Sequence, residues 1–394
     1  MQSNGRRVPR RIAVISSNVA PWGGSEELWK DAAVSLAKTG HRVTVYKARL
    51  ARNAEPRKEL ETAGCTVIDL ARPLHLREEF YNILSLVSRL AGFAVLFGRL
   101  WLGLWLRRPD AIVLSQGGNF DGVHFSRLIR KLGIPYFIIS QKASELYWPS
   151  DSERDRVRMF YREAVHAFFV SKHNWRLTEE QIGERIERAS VARNPFLVSF
   201  DGPLAWPEGN DTVDFACIGR LYPMEKGQDL VLQVLARQKW RDRPVRVTFY
   251  GEGINRQGLE GMAEFLGLGN VTFAGQVKDI ESLWRSHPVL LLASRAEGLP
   301  LVVVETMLAG RVVITTDAGG SAEAFEDNVT GFLAAAPTVE SLDEAMERAW
   351  MQRERWKEIG QRAASSIREI VPQEPGATLA REIENLIPIR LSEG

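Results

Sequence analysis

Two carboxylates, Glu297 and Glu305, stand eight positions apart in the stretch Ser294-Arg-Ala-Glu-Gly-Leu-Pro-Leu-Val-Val-Val-Glu-Thr-Met-Leu-Ala-Gly310. Gly298 and Pro300 follow the first, and an apolar run precedes the second. A loop that leads into a helix leaves backbone N–H groups unpaired, which suits an anion such as a diphosphate. A carboxylate on each side of that loop can accept hydrogen bonds from vicinal hydroxyls. One element can therefore hold a phosphate and polyols together. The plain alternative is a buried helix with a capping glutamate at its start, and context decides between them.

A second pair, Arg220 and Lys226, follows an apolar run six positions apart, with Pro223 in the loop between them. Fixed cations aimed at a departing phosphate lower the barrier to its departure. Isolated, the pair would read as a solvated surface Arg and Lys.

The elements that must position these residues are visible as short apolar runs. Arg11–Ser16, Arg42–Tyr46, Cys65–Leu70, Ala111–Ser115, Tyr136–Ser140 and Ala167–Val170 form one series of expected strands. Val213–Ile218, Arg246–Tyr250, Val271–Phe273, Val289–Leu292, Val312–Thr315 and Gly331–Ala334 form another. Helical patterns lie between them, with Glu26 and Glu27 as first-turn acids of a helix that stops at Gly40, and with Gln228–Arg237 and Glu305–Ala309 farther on. Strands alternating with helices imply doubly wound parallel sheets, an α/β class. The linker Asp201-Gly-Pro-Leu-Ala-Trp-Pro-Glu-Gly-Asn-Asp211 marks a boundary. The expected division is 1–198, 199–374 and a closing segment 375–394. At 394 residues the chain suits two domains, each large enough for its own core.

Net charge is +2, but residues 1–198 hold 31 Lys/Arg against 20 Asp/Glu while residues 199–394 hold 20 against 29. A basic first half favours an anionic acceptor or an anionic membrane surface, each nearby cation adding up to about 1 kcal/mol. No nucleic-acid recognition motif accompanies the charge. Cys65 and Cys217 fall in different halves and read as reduced structural thiols. Met1–Arg11 is basic and polar, without the apolar core of a secretory signal. The expected location is cytoplasmic, with peripheral contact at the inner face of the plasma membrane left open. Phe80–Leu106 is the most apolar stretch. Spanning a bilayer would place Arg89 and Arg99 in hydrocarbon at about 2.5–3.5 kcal/mol each. Two readings stay open for it. It is a core helix on the sheet, or an interfacial helix with Trp101, Trp105, Arg107 and Arg108 toward headgroups.

The Glu-x7-Glu segment resembles the signature of the retaining GT-B glycosyltransferases of family 4. The resemblance continues through Thr316-Asp-Ala-Gly-Gly-Ser-Ala-Glu323, Asn328-Val-Thr-Gly-Phe332, Ile218-Gly-Arg-Leu-Tyr-Pro-Met-Glu-Lys-Gly227 and Pro21-Trp-Gly-Gly-Ser-Glu26. These matches come in the family's order and span most of the chain. The resemblance implies a GT-B architecture, two doubly wound Rossmann-like domains facing a central cleft. The first would bind the acceptor and the second the nucleotide sugar, with a final helix near Ala377–Ile387 crossing back.

By that resemblance Arg220 and Lys226 hold the diphosphate, Glu297 faces the donor sugar and Glu305 accepts the ribose hydroxyls. Gly23, Gly24, Gly219, Gly253, Gly298, Leu299, Pro300 and Leu301 are the further donor-binding candidates, and Val277 lies where relatives contact the base. Many relatives carry a histidine after the strand that follows Gly133-Ile-Pro; here Gln141 stands there, and Gln116 ends the preceding strand. An amide is neither acid nor base at neutral pH, so Gln116 and Gln141 are candidates for the acceptor or sugar side, with His124 and His173 as nearby alternatives whose plainer reading is structural. No Asp-x-Asp motif and no His/Cys cluster of metal-ligand spacing occurs in the sequence, so neither a metal nor a cofactor is expected. The implied reaction transfers a hexose from a nucleotide sugar, UDP-glucose first, to a hydroxyl of a glycan or lipid-linked acceptor in polysaccharide biosynthesis. The alternatives are a nucleotide-sugar-binding scaffold without turnover and a sugar-nucleotide epimerase. A dinucleotide oxidoreductase is disfavoured, because no Gly-x-Gly-x-x-Gly follows the first strand.

Overall fold

The structure, a computed structural model, describes residues 8–19, 22–71, 85–208 and 212–388, with residues 85–94 described as backbone only. Most of the basic N-terminus, Pro21 of the glycine loop, Phe80–Leu84 and the linker residues 209–211 lie outside the described residues.

Two parallel sheets carry the fold. The first contains β1 (Arg11–Ser16), β2 (Arg42–Lys47), β3 (Thr66–Asp69), β4 (Ala111–Gly118), β5 (Tyr136–Lys142), β6 (His166–Phe169) and β7 (Ala189–Val191), in the order β3-β2-β1-β4-β5-β6-β7. The second contains β8 (Val213–Ile218), β9 (Val245–Tyr250), β10 (Val271–Gly275), β11 (Val289–Leu292), β12 (Val312–Thr316) and β13 (Phe332–Ala334), in the order β10-β9-β8-β11-β12-β13. Every strand pair is parallel. In each sheet the order reverses beside the first strand, and ligands of such folds bind at the carboxyl ends of the strands at that switch point.

The apolar runs form strands because both faces of each sheet are covered. Ile12 and Val14 point into one core with Leu28, Trp29 and Ala32, whereas Ala13 and Ile15 point into the other with Tyr46, Leu100 and Leu104. The second sheet repeats the pattern. Phe215 and Cys217 face Leu230, Val231 and Trp356, and Ala216 faces Val303, Met307 and Ala363. Cys65 and Cys217 are free and buried, and burial pushes their thiols up to about 11 and about 12.

The final helix, Pro375–Leu386, packs on the helix Glu27–Lys38 near the start of the chain. Leu379, Ala380 and Ile383 share the core of Leu28 and Trp29. The Glu384 carboxylate accepts from Thr39 Oγ1 at 2.7 Å and lies 3.0 Å from His41 Nε2. The helix Ser85–Arg107 divides its two faces. Leu100 and Leu104 are buried on the sheet, while Trp101, Leu102, Trp105 and Leu106 face outward. Among the described residues no helix is long and apolar enough to cross a membrane.

Candidate donor-binding cleft

The loop after β8 begins at Gly219 and makes a single helical turn over Pro223–Lys226. Gly227 closes it at φ 61°, in the left-handed region that favours glycine. A Cβ there would fall 1.9 Å from the Ala293 carbonyl oxygen, so only glycine lets this loop press against the end of β11. That approach brings Lys226 Nζ to 2.5 Å from Glu297 Oε1. Ser294 donates to the same oxygen at 2.6 Å. Arg295 ties the two loops together through a bidentate pair with Asp229, at 2.7 and 2.8 Å.

Arg220 is the outward cation, its side chain 60% exposed, and it donates to Glu225 Oε2 at 2.9 Å. Glu225 Oε1 accepts from Lys142 of β5 at 2.7 Å, which joins the two sheets' loops. Burial pushes the Glu225 carboxyl up, but Lys142, Arg220 and Lys226 outweigh it and hold it below the usual range.

The second carboxylate sits on the helix Leu301–Leu308. This helix starts four residues earlier than the sequence suggests, so Glu305 lies in its second turn, not at its start. Pro300 occupies the N-cap, and first-turn amides such as those of Leu301 and Val302 have no carbonyl partner within a helix. Glu305 is buried and accepts one protein hydrogen bond, from the Leu197 amide at 3.1 Å. Burial pushes its carboxyl up to about 7, with the Leu197 amide opposing.

The remaining donor-side candidates divide by surroundings. Leu299 is buried in the core that holds Val303, Met307 and Ala363, and Val277 packs against that core. Gly253 comes so close to the Leu221 carbonyl that a Cβ would lie 2.3 Å from its oxygen. A Cβ on Gly219 would rest on the Lys226 stem, the Gly219 amide donates to Tyr250 O at 2.9 Å, and Gly23 opens onto free space. Gly24 packs on Leu301, where a Cβ would meet Cδ1 at 2.7 Å. The glycine loop after β1 therefore touches the start of the helix that bears Glu305.

The two glutamines part company. Gln116 is fully buried, donating to Asn119 O at 3.0 Å and Tyr161 Oη at 2.7 Å and accepting from the Gly122 amide at 2.9 Å. Its amide is thus engaged within the first domain. Gln141 is 5% exposed, and neither its Nε2 nor its Oε1 has a hydrogen-bond partner among the described residues. Its backbone carbonyl faces Gly298, where a Cβ would fall 2.2 Å away. His173 pairs with Glu145 at 3.1 Å, and His124 is exposed.

Several residues of the cleft went unmarked in the sequence. Glu323, after β12, caps the helix Lys172–Ile182 of the first domain, accepting from the Lys172 and His173 amides at 3.0 and 2.6 Å and pairing with Arg193 at 3.2 Å. Glu26, read as a first-turn acid and as the end of the Gly-Gly-x-Glu loop, is buried. It accepts from Ser16 Oγ at 2.9 Å and Trp29 Nε1 at 3.0 Å, with Lys47 Nζ 3.7 Å away. Burial lowers the Lys47 ammonium from its usual value, with Glu26 opposing. Ser294 had a usable signal, a hydroxyl three positions before Glu297. Among the described residues no group of three or more His, Cys, Asp or Glu is placed to hold a metal ion.

Comparison with known proteins adds to this geometry. Residues 205–366 match the family described as Glycosyl transferases group 1. The chain is 29% identical to a D-inositol 3-phosphate glycosyltransferase of Saccharomonospora viridis, over 88% of its own length and 87% of that protein. It is 38% identical over 105 residues to the Vi polysaccharide biosynthesis protein VipC/TviE of Salmonella typhi, a match spanning only 18% of that protein. The Anabaena protein HepE, solved in complex with UDP-glucose, superposes with a TM-score of 0.72 at 19% identity, covering 95% of this chain and 99% of that one. The chain thus has the two-domain GT-B architecture, and its residues 205–366 match the glycosyl transferases group 1 family.

Proposed function

We propose that this chain is a retaining, metal-independent hexosyltransferase that uses a UDP-linked sugar, UDP-glucose first, and delivers the hexose to a hydroxyl of a glycan or lipid-linked acceptor. The observation that carries the reading is the cluster at the carboxyl ends of β8 and β11, where Lys226, Glu297 and Ser294 are bonded together and Arg220 stands beside them. The diphosphate would lie against Arg220 and Lys226 and the first amides of the helix Leu301–Leu308, and the ribose hydroxyls would donate to Glu305. The Gln141 amide, buried without a partner among the described residues, would read a sugar hydroxyl.

In the reaction the bond from the anomeric carbon to the diphosphate oxygen breaks and a bond to the acceptor oxygen forms on the same face. The acceptor proton passes to the departing diphosphate. Glu297 is held by Lys226 and Ser294, which suits it to positioning rather than to attack. Arg220 and Lys226 offset the charge that develops on the leaving group, as a divalent cation does in other sites. Support for a uridine donor comes from HepE, whose complex contains UDP-glucose. A basic first domain suits an anionic or membrane-borne acceptor, with the protein on the cytoplasmic side.

The test is release of UDP from UDP-glucose, UDP-galactose and UDP-N-acetylglucosamine, with GDP-mannose as the out-group, read together with thermal shifts. A saturating donor at about 100 times its Kd stabilises by about 2.7 kcal/mol. UDP release from one of the sugars supports the reading. Stabilisation without release points to a binding protein, and no stabilisation by any of them contradicts it.

A further inference from the structure

The helix Ser85–Arg107 presents a face that the donor chemistry leaves unused. From residue 95 onward its outward residues are Val95, Trp101, Leu102, Trp105 and Leu106, between 42% and 61% exposed. At 3.6 residues per turn these five occupy one arc of about 140°. Gly98 falls within that arc and is exposed, with open space where a side chain would be. No polar residue interrupts the arc, and Arg99 lies at its edge. Leu100 and Leu104, on the opposite side, are fully buried on the sheet. The helix is thus apolar on the face turned to water, against the rule for a surface helix. The Trp101 and Trp105 rings stack with centroids 6.1 Å apart, forming a flat aromatic ledge.

The surroundings are basic. Arg107 ends the helix and Arg108 follows it. The adjoining helix Ser126–Leu132, reached through the stacked rings of Phe97 and Phe125 at 5.3 Å, carries Arg127, Arg130 and Lys131 and no acid. Glu163 engages Arg130, and Asp110 receives the Arg11 amide. The exposed stripe extends about 17 Å along the helix, too short to cross a bilayer and suited to lying in its plane. Tryptophans beside arginines are the composition that settles at the headgroup level. A second copy of the chain would oppose the same cationic rim to itself, which disfavours self-association through this face.

We propose that the outward face of this helix seats the first domain on an anionic phospholipid surface, with Trp101, Leu102, Trp105 and Leu106 entering the headgroup boundary and the surrounding arginines meeting lipid phosphates. The seat rests on exposure and charge, independently of the donor chemistry.

The full chain is sedimented with phosphatidylglycerol–phosphatidylethanolamine vesicles and with phosphatidylcholine vesicles, in low and high salt. The wild type pellets with the anionic vesicles, and less so as salt screens the arginines. Trp101→Gln with Trp105→Gln lowers that partitioning by about tenfold while leaving the thermal midpoint unchanged. Equal pelleting of wild type and double variant overturns the proposal, as does wild type that stays in the supernatant with anionic vesicles. Analytical ultracentrifugation showing a dimer that the double variant dissolves overturns it in favour of a second copy. UDP release by the double variant is measured alongside, so a failure here is distinguishable from a failure of the donor reading.

Discussion

Lys226 Nζ and Glu297 Oε1 lie 2.5 Å apart although 71 positions separate the two residues in sequence. They sit on loops after different strands, and Gly227 beside Ala293 makes the approach possible. The ammonium is thereby fixed beside Glu297, and in the proposed reaction its charge would need little reorganisation.

Preorganisation of that kind acts on the transition state. Lys226→Ala should lower kcat by about 10²–10³, with a much smaller change in the Kd for UDP. Steady-state kinetics beside calorimetric titration separates the two effects. A variant that loses UDP affinity and keeps kcat would assign Lys226 to uniform binding.

In the proposed donor site, Glu305 should make binding depend on pH. Its carboxyl, pushed up to about 7 by burial, must be ionised to accept two ribose hydroxyls. The apparent Kd for UDP-glucose should therefore weaken about tenfold for each pH unit below 7, with proton release on binding. Stability runs the opposite way. The unfolded carboxyl ionises near its ordinary value while the folded one still holds its proton. Stability is therefore greatest below that value and falls, by at most about 3 kcal/mol, as pH rises to about 7. Glu305→Gln should flatten both dependences, as titrations and thermal melts from pH 5 to pH 8 would show.

Gly298 reports on contact between the domains. A Cβ there would lie 2.2 Å from the Gln141 carbonyl oxygen and 2.9 Å from Val170 Cγ2, which pushes the two domains apart at this contact. Gly298→Ala should retain UDP binding within a few-fold and lose more than about 100-fold in turnover. Small-angle scattering should show a larger radius of gyration. Unchanged turnover would mean that this contact is not part of the reactive state.

Glu323→Ala removes a helix cap and an ion pair that bridge the domains. Loss of a cap costs about 1 kcal/mol. The variant should melt a few degrees lower and bind donor with a raised KM, whereas a purely local cap would leave KM alone.

Much of the fold was legible because parallel strands covered on both faces must be nearly continuous apolar runs, as in Ile12–Ile15 and Leu290–Leu292. The three-residue edge strand β7, Ala189–Val191, was not, since it is short and only half-buried. The start of the helix Leu301–Leu308 was hidden because Pro300 stands where a hydroxyl or carboxamide cap usually marks the boundary. Side-chain fates depended on distant partners. Gln116 and Gln141 are the same residue type at the ends of neighbouring strands, and only the arrival of Asn119 and Tyr161 consumes the first. Glu26 and Glu27 both read as first-turn acids, and the fold turns Glu26 inward to Trp29 and Lys47. The pairs Lys142–Glu225 and Lys172–Glu323 lie 83 and 151 positions apart, beyond what local pattern reaches.

The central claim is that one anionic leaving group is held between the β8 loop and the helix bearing Glu305. A crystal structure of the full chain with UDP tests it most directly. The account predicts the diphosphate within hydrogen-bond distance of Arg220 and Lys226, with both ribose hydroxyls on Glu305. UDP bound with its diphosphate clear of both cations, or its ribose clear of Glu305, would contradict it.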